Sequence, residues 1–253
     1  MKRFVAIVFI LCSICAFSQN ISPKYDRRNI GLAKELVGEV TVLGIFMDEN
    51  GYIEKKMKQD YIKQLEEAER WIIREARRYR KTVSFTNYYL GRETTITYNP
   101  SLSWHYEPPY DIITAAFGRP KAAYQWFAEH PNCAVILFTQ HEEFCNARPA
   151  NHTDTSQHDR PITEIARIFE YDMNEKSTEI AHEMLHLFGA WDLYNTTWYK
   201  EGWKTYIDQI TTDCNSIMYD VLGKISNHHI DELNAFMIGW SDEWKDWYAY
   251  FQN

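Results

Sequence analysis

Between Ile180 and Phe188 the chain sets two histidines and a glutamate inside a stretch that is otherwise apolar, and this restricts the fold more than any other feature. Ile180, Ala181, Met184, Leu185, Leu187 and Phe188 mark a helix that a core must cover, so His182, Glu183 and His186 are carried inward with it. Polar groups taken out of water need partners. On a helix, His182 and His186 stand one turn apart on one face, where two imidazoles can reach one metal ion. Glu183 lies beside them, placed to handle a proton of a water at the metal rather than to ligate. Gly189 suits the left-handed conformation that ends a helix and turns the chain back. Asp192, six residues after His186, can then supply a third ligand. Two histidines and one carboxylate leave a fourth zinc position open, the arrangement of a catalytic rather than a structural site. The competing reading, a solvated surface helix, is opposed by the apolar flanks.

His182-Glu183-x-x-His186-x-x-Gly189-x-x-Asp192, followed by Ser216-Ile217-Met218-Tyr219, resembles the metzincin group of zinc peptidases. The resemblance covers about 40 residues. It implies a zinc helix with a methionine-containing turn, here Met218, as an apolar floor beneath the metal. The usual third ligand of that group is His; Asp at this place is the pattern of its snapalysin-like and immune-inhibitor-A-like branches. A carboxylate ligand lowers the net charge at zinc, so the site's water should be less acidic than in a three-His site. Tyr219 directly follows Met218, whereas the tyrosine near zinc in astacin-like enzymes comes one residue later, so Tyr194 and Tyr219 stand as equal candidates for an oxyanion or substrate contact.

Met1-Lys2-Arg3 is basic, Phe4 to Phe17 mostly apolar, and Ala16-Phe17-Ser18 offers small residues for cleavage, which together predict a secretory signal over residues 1–18. Its apolar part is short for a membrane span. Removing it leaves 25 basic against 35 acidic residues, a formal charge of −10. Such a balance argues against nucleic acid or an anionic membrane as partner. Residues 19–253 are expected to form one secreted catalytic domain working as a monomer, with subdomains of about 38–189 and 190–253. A polar lead-in, 19–37, is too short for a folded inhibitory segment. Of Cys133, Cys145 and Cys214, the first two are the nearer pair and the expected disulfide; Cys214 reads as an inert buried thiol.

The fold class expected is α/β (α+β). Residues 39–46 read as a first strand and 60–80 as an amphipathic helix, with Ile62, Leu65, Ala68, Ile72, Ala76 and Tyr79 at helical spacing. Strands are expected within 82–90 and 94–98, and helix within 111–129 with a break near Gly118–Pro120. Cys133 to Phe138 is a continuous apolar run, the mark of a central strand buried on both faces. A last strand is expected within 162–171. The metzincin resemblance implies a twisted mixed sheet with backing helices, with such a strand lining the cleft and pairing with an extended substrate. Past the metal motif, residues 195–209 offer a wall to the cleft. A helix is expected from near Asp231, docking Leu233, Phe236, Met237 and Trp240.

The polar loop 140–160 carries His141, His152, Asp154, His158 and Asp159, types that could bind a second, structural metal, although solvated loop residues are the simpler reading. His228 and His229, adjacent on an expected helix, would point apart and not share an ion. The function that follows is hydrolysis of a peptide or protein substrate with one catalytic Zn2+ and Glu183 as general base. Two alternatives stay open: a secreted binding or inhibitory protein on the same scaffold, and a zinc hydrolase of a non-peptide amide.

Overall fold

The computed structural model describes residues 31–150, 162, 164–170, 176–193, 215–246 and 248. Six strands among them form one mostly parallel sheet: β1 (Gly38–Asp48), β2 (Val83–Leu90), β3 (Ile96–Thr97), β4 (Cys133–Phe138), β5 (Asn146–Arg148) and β6 (Ile165–Ile168). The order across the sheet is β2-β1-β4-β6-β5, with β3 pairing the end of β1. β5 alone runs antiparallel, opposing Asn146 to Arg167 and Arg148 to Ile165.

Alternate residues of the central strands feed two separate cores. Val40, Val42 and Phe46 of β1, Ala134, Ile136 and Phe138 of β4, and Ala166 and Ile168 of β6 face helices α1 (Lys55–Arg78) and α4 (Lys176–Leu187). Leu43, Ile45, Val135, Leu137 and Ile165 face α2 (Pro109–Ala116) and α3 (Pro120–Glu129). Every residue of β4 is buried, as the unbroken apolar run requires of a strand covered on both sides. Gly44 serves the first core, because a Cβ there would stand 2.7 Å from the Tyr89 ring and 3.2 Å from that of Phe138. A short helix, α5 (Glu232–Met237), closes that core with Leu233, Phe236, Met237 and, beyond its end, Trp240.

Several expectations are corrected. The strand before α4, β6, is an interior strand rather than a cleft-lining edge, since β5 covers its outer side. β5 arises within the loop 140–160, where three residues are too few to show alternation. α1 starts at Lys55, five residues before the periodic pattern: Lys58 is buried by its stem, while its Nζ donates to the carbonyls of Gly91 (2.7 Å) and Arg92 (3.1 Å). The lead-in packs inward too, with Ala33 and Leu36 fully buried, and the Trp240 indole N–H donates to Leu36 O at 2.8 Å. Cys133 and Cys145 are free thiols, because Cys133 belongs to the core under α2 and α3 and Cys145 packs on the core under α1 and α4, with the sheet between them. His228 and His229 lie in extended backbone, not on a helix, and Ser216 bridges to His229. Residues 1–30 (signal segment included), Cys214 and the span 195–209 lie outside the described residues. No helix among the described residues is long and apolar enough to cross a membrane.

One buried acid separates packing from charge. Glu69 of α1 is pushed up to about 7 by burial, against the hydrogen bond it accepts from the Asn87 amide at 3.0 Å. Its Oε1 and the Asn87 Oδ1 are both buried without partners. Folding therefore takes up a proton between the ordinary value, 4.5, and about 7, and stability falls as pH rises through that window. Glu69→Gln removes the charge and gives Asn87 an amide to pair with. Denaturant unfolding should show the variant more stable than the parent by on the order of 1–3 kcal/mol at pH 8, the gap closing below about pH 4.5. An equal gap at both pH values would refute the assignment.

Candidate metal centre

α4 is buried along nearly its whole length, from Ser177 through Leu185 and again at Leu187, with Ile180, Ala181, Met184, Leu185 and Leu187 filling the core. Its first turn is tied down by α1, because the Gln64 side-chain Oε1 accepts from the Ser177 N–H at 3.1 Å. Glu179 is fixed by Lys176 Nζ (3.0 Å) and by the thiol of Cys145 (3.2 Å), which joins the helix to the segment entering β5. The helix ends where expected: Gly189 has φ +108°, and Ala190 N–H returns to Leu185 O at 3.1 Å.

That reversal brings Asp192 back onto the histidines. His182 Nε2 and His186 Nε2 are 3.1 Å apart; Asp192 Oδ1 is 3.3 Å from the first and 3.1 Å from the second. Four ligands at about 2.0–2.1 Å from a tetrahedral ion lie about 3.3 Å from one another, so this triangle is the size of one face of such a shell. The tautomers agree. His182 Nδ1 lies 2.8 Å from the Ile217 carbonyl and His186 Nδ1 2.9 Å from the Ala190 carbonyl. A carbonyl only accepts, so each Nδ1 carries the hydrogen and each Nε2 lone pair turns inward. Two lone pairs and a carboxylate oxygen are three acceptors that a shared cation reconciles. His182, His186 and Asp192 can thus hold a metal ion, and among the described residues they form the one such group. Imidazole suits several transition metals, so the donor set gives a class rather than an element.

The two carboxyls here are pushed in opposite directions. Without an ion the imidazoles can carry a proton at Nε2 as well, and then, although burial would raise Asp192, the charge of His186 and hydrogen bonds from both rings hold it well below the usual carboxylate range. Glu183, next to His182 in the chain, is pushed up to about 7 by burial, with His182 opposing and Asp192 and Glu179 adding.

Met218 is fully buried in the core, and its carbonyl accepts from the Leu193 N–H at 2.7 Å, one residue past Asp192. Tyr219 is 39% exposed, and its N–H donates to Ser216 O at 3.0 Å. Tyr194 lies outside the described residues, as do His152, Asp154, His158 and Asp159 of the proposed second metal loop. Of that loop His141 is described, 3.5 Å from Glu143, and it joins no metal-sized group. Sequence reasoning did not single out the two ring-orienting carbonyls, which leave no trace in residue type. It also passed over Asp231 and Asn234, whose i, i+3 spacing at a helix start was the available signal. No family model matches the chain, and no curated protein matches it.

If the triangle holds a metal, binding should stabilise the fold. Zinc at about 100 times its Kd adds about 2.7 kcal/mol. That is worth roughly 5–10 °C in Tm for a domain of this size. Calorimetry of the chelator-treated protein should show this rise on adding zinc. His182→Ala and Asp192→Ala should each abolish most of it, and an undiminished rise in either would remove that residue from the ligand set.

Proposed function

We propose that the chain is a secreted zinc-dependent peptidase of the metzincin type, acting on a peptide or protein substrate. The observation that carries this reading is the triangle of His182 Nε2, His186 Nε2 and Asp192 Oδ1, which among the described residues supplies three of four tetrahedral positions, with the buried carboxyl of Glu183 next to His182 in the chain. A purely structural site would close its fourth position and has no use for a base. The mixed sheet with helices on both faces, the metal helix following the last interior strand, and the short C-terminal elements are consistent with that fold.

His182, His186 and Asp192 would hold the zinc ion. When bound it supplies Lewis acidity to the scissile carbonyl and acidifies the attacking water. The remaining chemistry belongs to the protein. Glu183 accepts a proton from the water as it attacks and delivers that proton to the leaving amine. Its burial on α4 keeps bulk water from competing for the proton. The carbonyls of Ile217 and Ala190 hold both imidazoles in the ligating tautomer throughout. An extended peptide needs a strand edge, and among the described strands the sheet ends in β2 and β5, of which β5 rather than the interior β6 is the outer strand beside α4.

Glu183→Ala separates catalysis from binding, because it removes the base and no ligand. The variant should fold, retain about one zinc per chain, and lose at least ~100-fold in cleavage of a mixed peptide library. Undiminished cleavage would refute the role of Glu183. A parent that holds zinc firmly yet cleaves nothing would favour a binding protein on this scaffold.

A further inference from the structure

Asp192 is the one ligand that does not sit on a helix, and something must hold it. Its two chain neighbours are both tied. Trp191 N–H donates to Asn234 Oδ1 at 2.5 Å, and Leu193 N–H donates to Met218 O at 2.7 Å. Those two anchors belong to one buried circuit. Asn234 Nδ2 donates to Asp231 Oδ2 at 2.9 Å, and the same oxygen accepts the Ser216 hydroxyl at 2.6 Å. Ser216 Oγ in turn accepts the Met218 N–H at 3.2 Å, which closes the path back to Leu193. Asp231 Oδ1 meanwhile accepts the Asn234 N–H at 2.9 Å, capping α5.

We infer that Asp231 and Asn234 are positioning residues for the metal group, holding Asp192 and the Ser216–Tyr219 turn in ligating register from the C-terminal helix. The inference rests on the reading that His182, His186 and Asp192 bind a metal. Three features carry it. First, Ser216 and Asn234 are fully buried and Asp231 is 3% exposed, so the circuit is a costly way to fill a core. An aspartate cap alone would function as well on the surface. Second, the circuit grips the backbone on both sides of Asp192, at Trp191 and at Leu193. Third, Ile217 lies inside the turn, and its carbonyl is the partner of His182 Nδ1, so the same circuit orients a second ligand. Outer partners of metal ligands typically carry about 10–100-fold of metal affinity, and here they do so through backbone.

The test compares zinc affinity with fold stability. Asn234→Leu keeps the volume but strands the Trp191 N–H, and Ser216→Ala opens the circuit at its other end. Leu233→Ala, in the same helix, removes core packing without touching the circuit. Zinc dissociation constants come from chelator competition, and melting temperatures of the metal-free proteins from circular dichroism. Cobalt(II)-loaded samples report ligand geometry through their visible absorption. Asn234→Leu and Ser216→Ala should each weaken zinc by about 10–100-fold and alter the cobalt spectrum. Leu233→Ala should lower the metal-free melting temperature while leaving zinc affinity within about threefold of the parent. If Asn234→Leu does not fold, Ser216→Ala decides. Folded circuit variants that bind zinc like the parent overturn the inference, as does a Leu233→Ala that weakens zinc equally. A parent that binds no zinc overturns instead the metal reading, and the inference with it.

Discussion

The bond on which the site depends is the one from His182 Nδ1–H to the carbonyl of Ile217, because it joins the metal helix to a turn 35 residues later in the chain. The turn is not self-supporting. Ile217 N–H donates to His229 O at 3.0 Å, and His229 N–H donates to Asn215 O at 2.9 Å, so the turn leans on the segment 228–230. That segment is held by α1. The Trp71 indole N–H donates to His228 O at 3.2 Å, the Tyr79 hydroxyl donates to Ile230 O at 2.9 Å, and Glu75 accepts from the Ile230 N–H at 3.1 Å. α1 also caps α4 through Gln64. A long amphipathic helix from the first third of the chain is thus the truss against which both halves of the metal group are set.

Electrostatics explains why so much support is needed. Two imidazole lone pairs and two carboxyls sit in surroundings that solvate none of them well, and like charges at this range repel. On the proposed reading the opposite shifts of Asp192 and Glu183 divide the labour: a carboxyl held low beside His182 and His186 stays ionised and can ligate, while one raised by burial would exchange a proton. A dication at the triangle would draw Glu183 back toward ionisation and so make it a base before it acts as an acid. Cys145, whose thiol donates to Glu179, satisfies one further carboxylate of the same helix without adding charge.

What could be read from residue order was whatever local periodicity or spacing encodes. β4 announced itself by an unbroken apolar run, α1 by its repeat, the break between α2 and α3 by Gly118 and Pro120, and the group that could hold a metal ion by the spacing of His182, His186, Gly189 and Asp192. What escaped depends on partners distant in sequence. β5 is three residues long and exists because β6 offers it an edge. The start of α1 at Lys55 escaped because Lys58 Nζ finds its acceptors only where Gly91 and Arg92 fold over it. The nearness of Cys133 and Cys145 in sequence suggested a bond, but a strand between them sends their side chains to opposite faces of the sheet. Asn234 met Trp191 across 43 residues, and no pattern within either segment foretells that pairing.

The geometry of an α-helix makes the third ligand the hard one to place. Residues one turn apart share a face, so His182 and His186 reach a common point with no more than rotamer choice. Had the helix continued, Asp192 would stand about 9 Å further along the axis than His186, beyond reach of the same ion. The chain must therefore stop, reverse and return, and Gly189 at φ +108° permits it. Reversal has a cost: a ligand on irregular backbone keeps conformational freedom that a helical ligand has already lost, and metal binding must then supply the ordering. Fixing the N–H groups of Trp191 and Leu193 beforehand moves that cost into folding, where the burial of α5 offsets it. This gives the small C-terminal part of the described structure a second physical reason to be there: besides completing the core under α1 and α4, it holds Asp192.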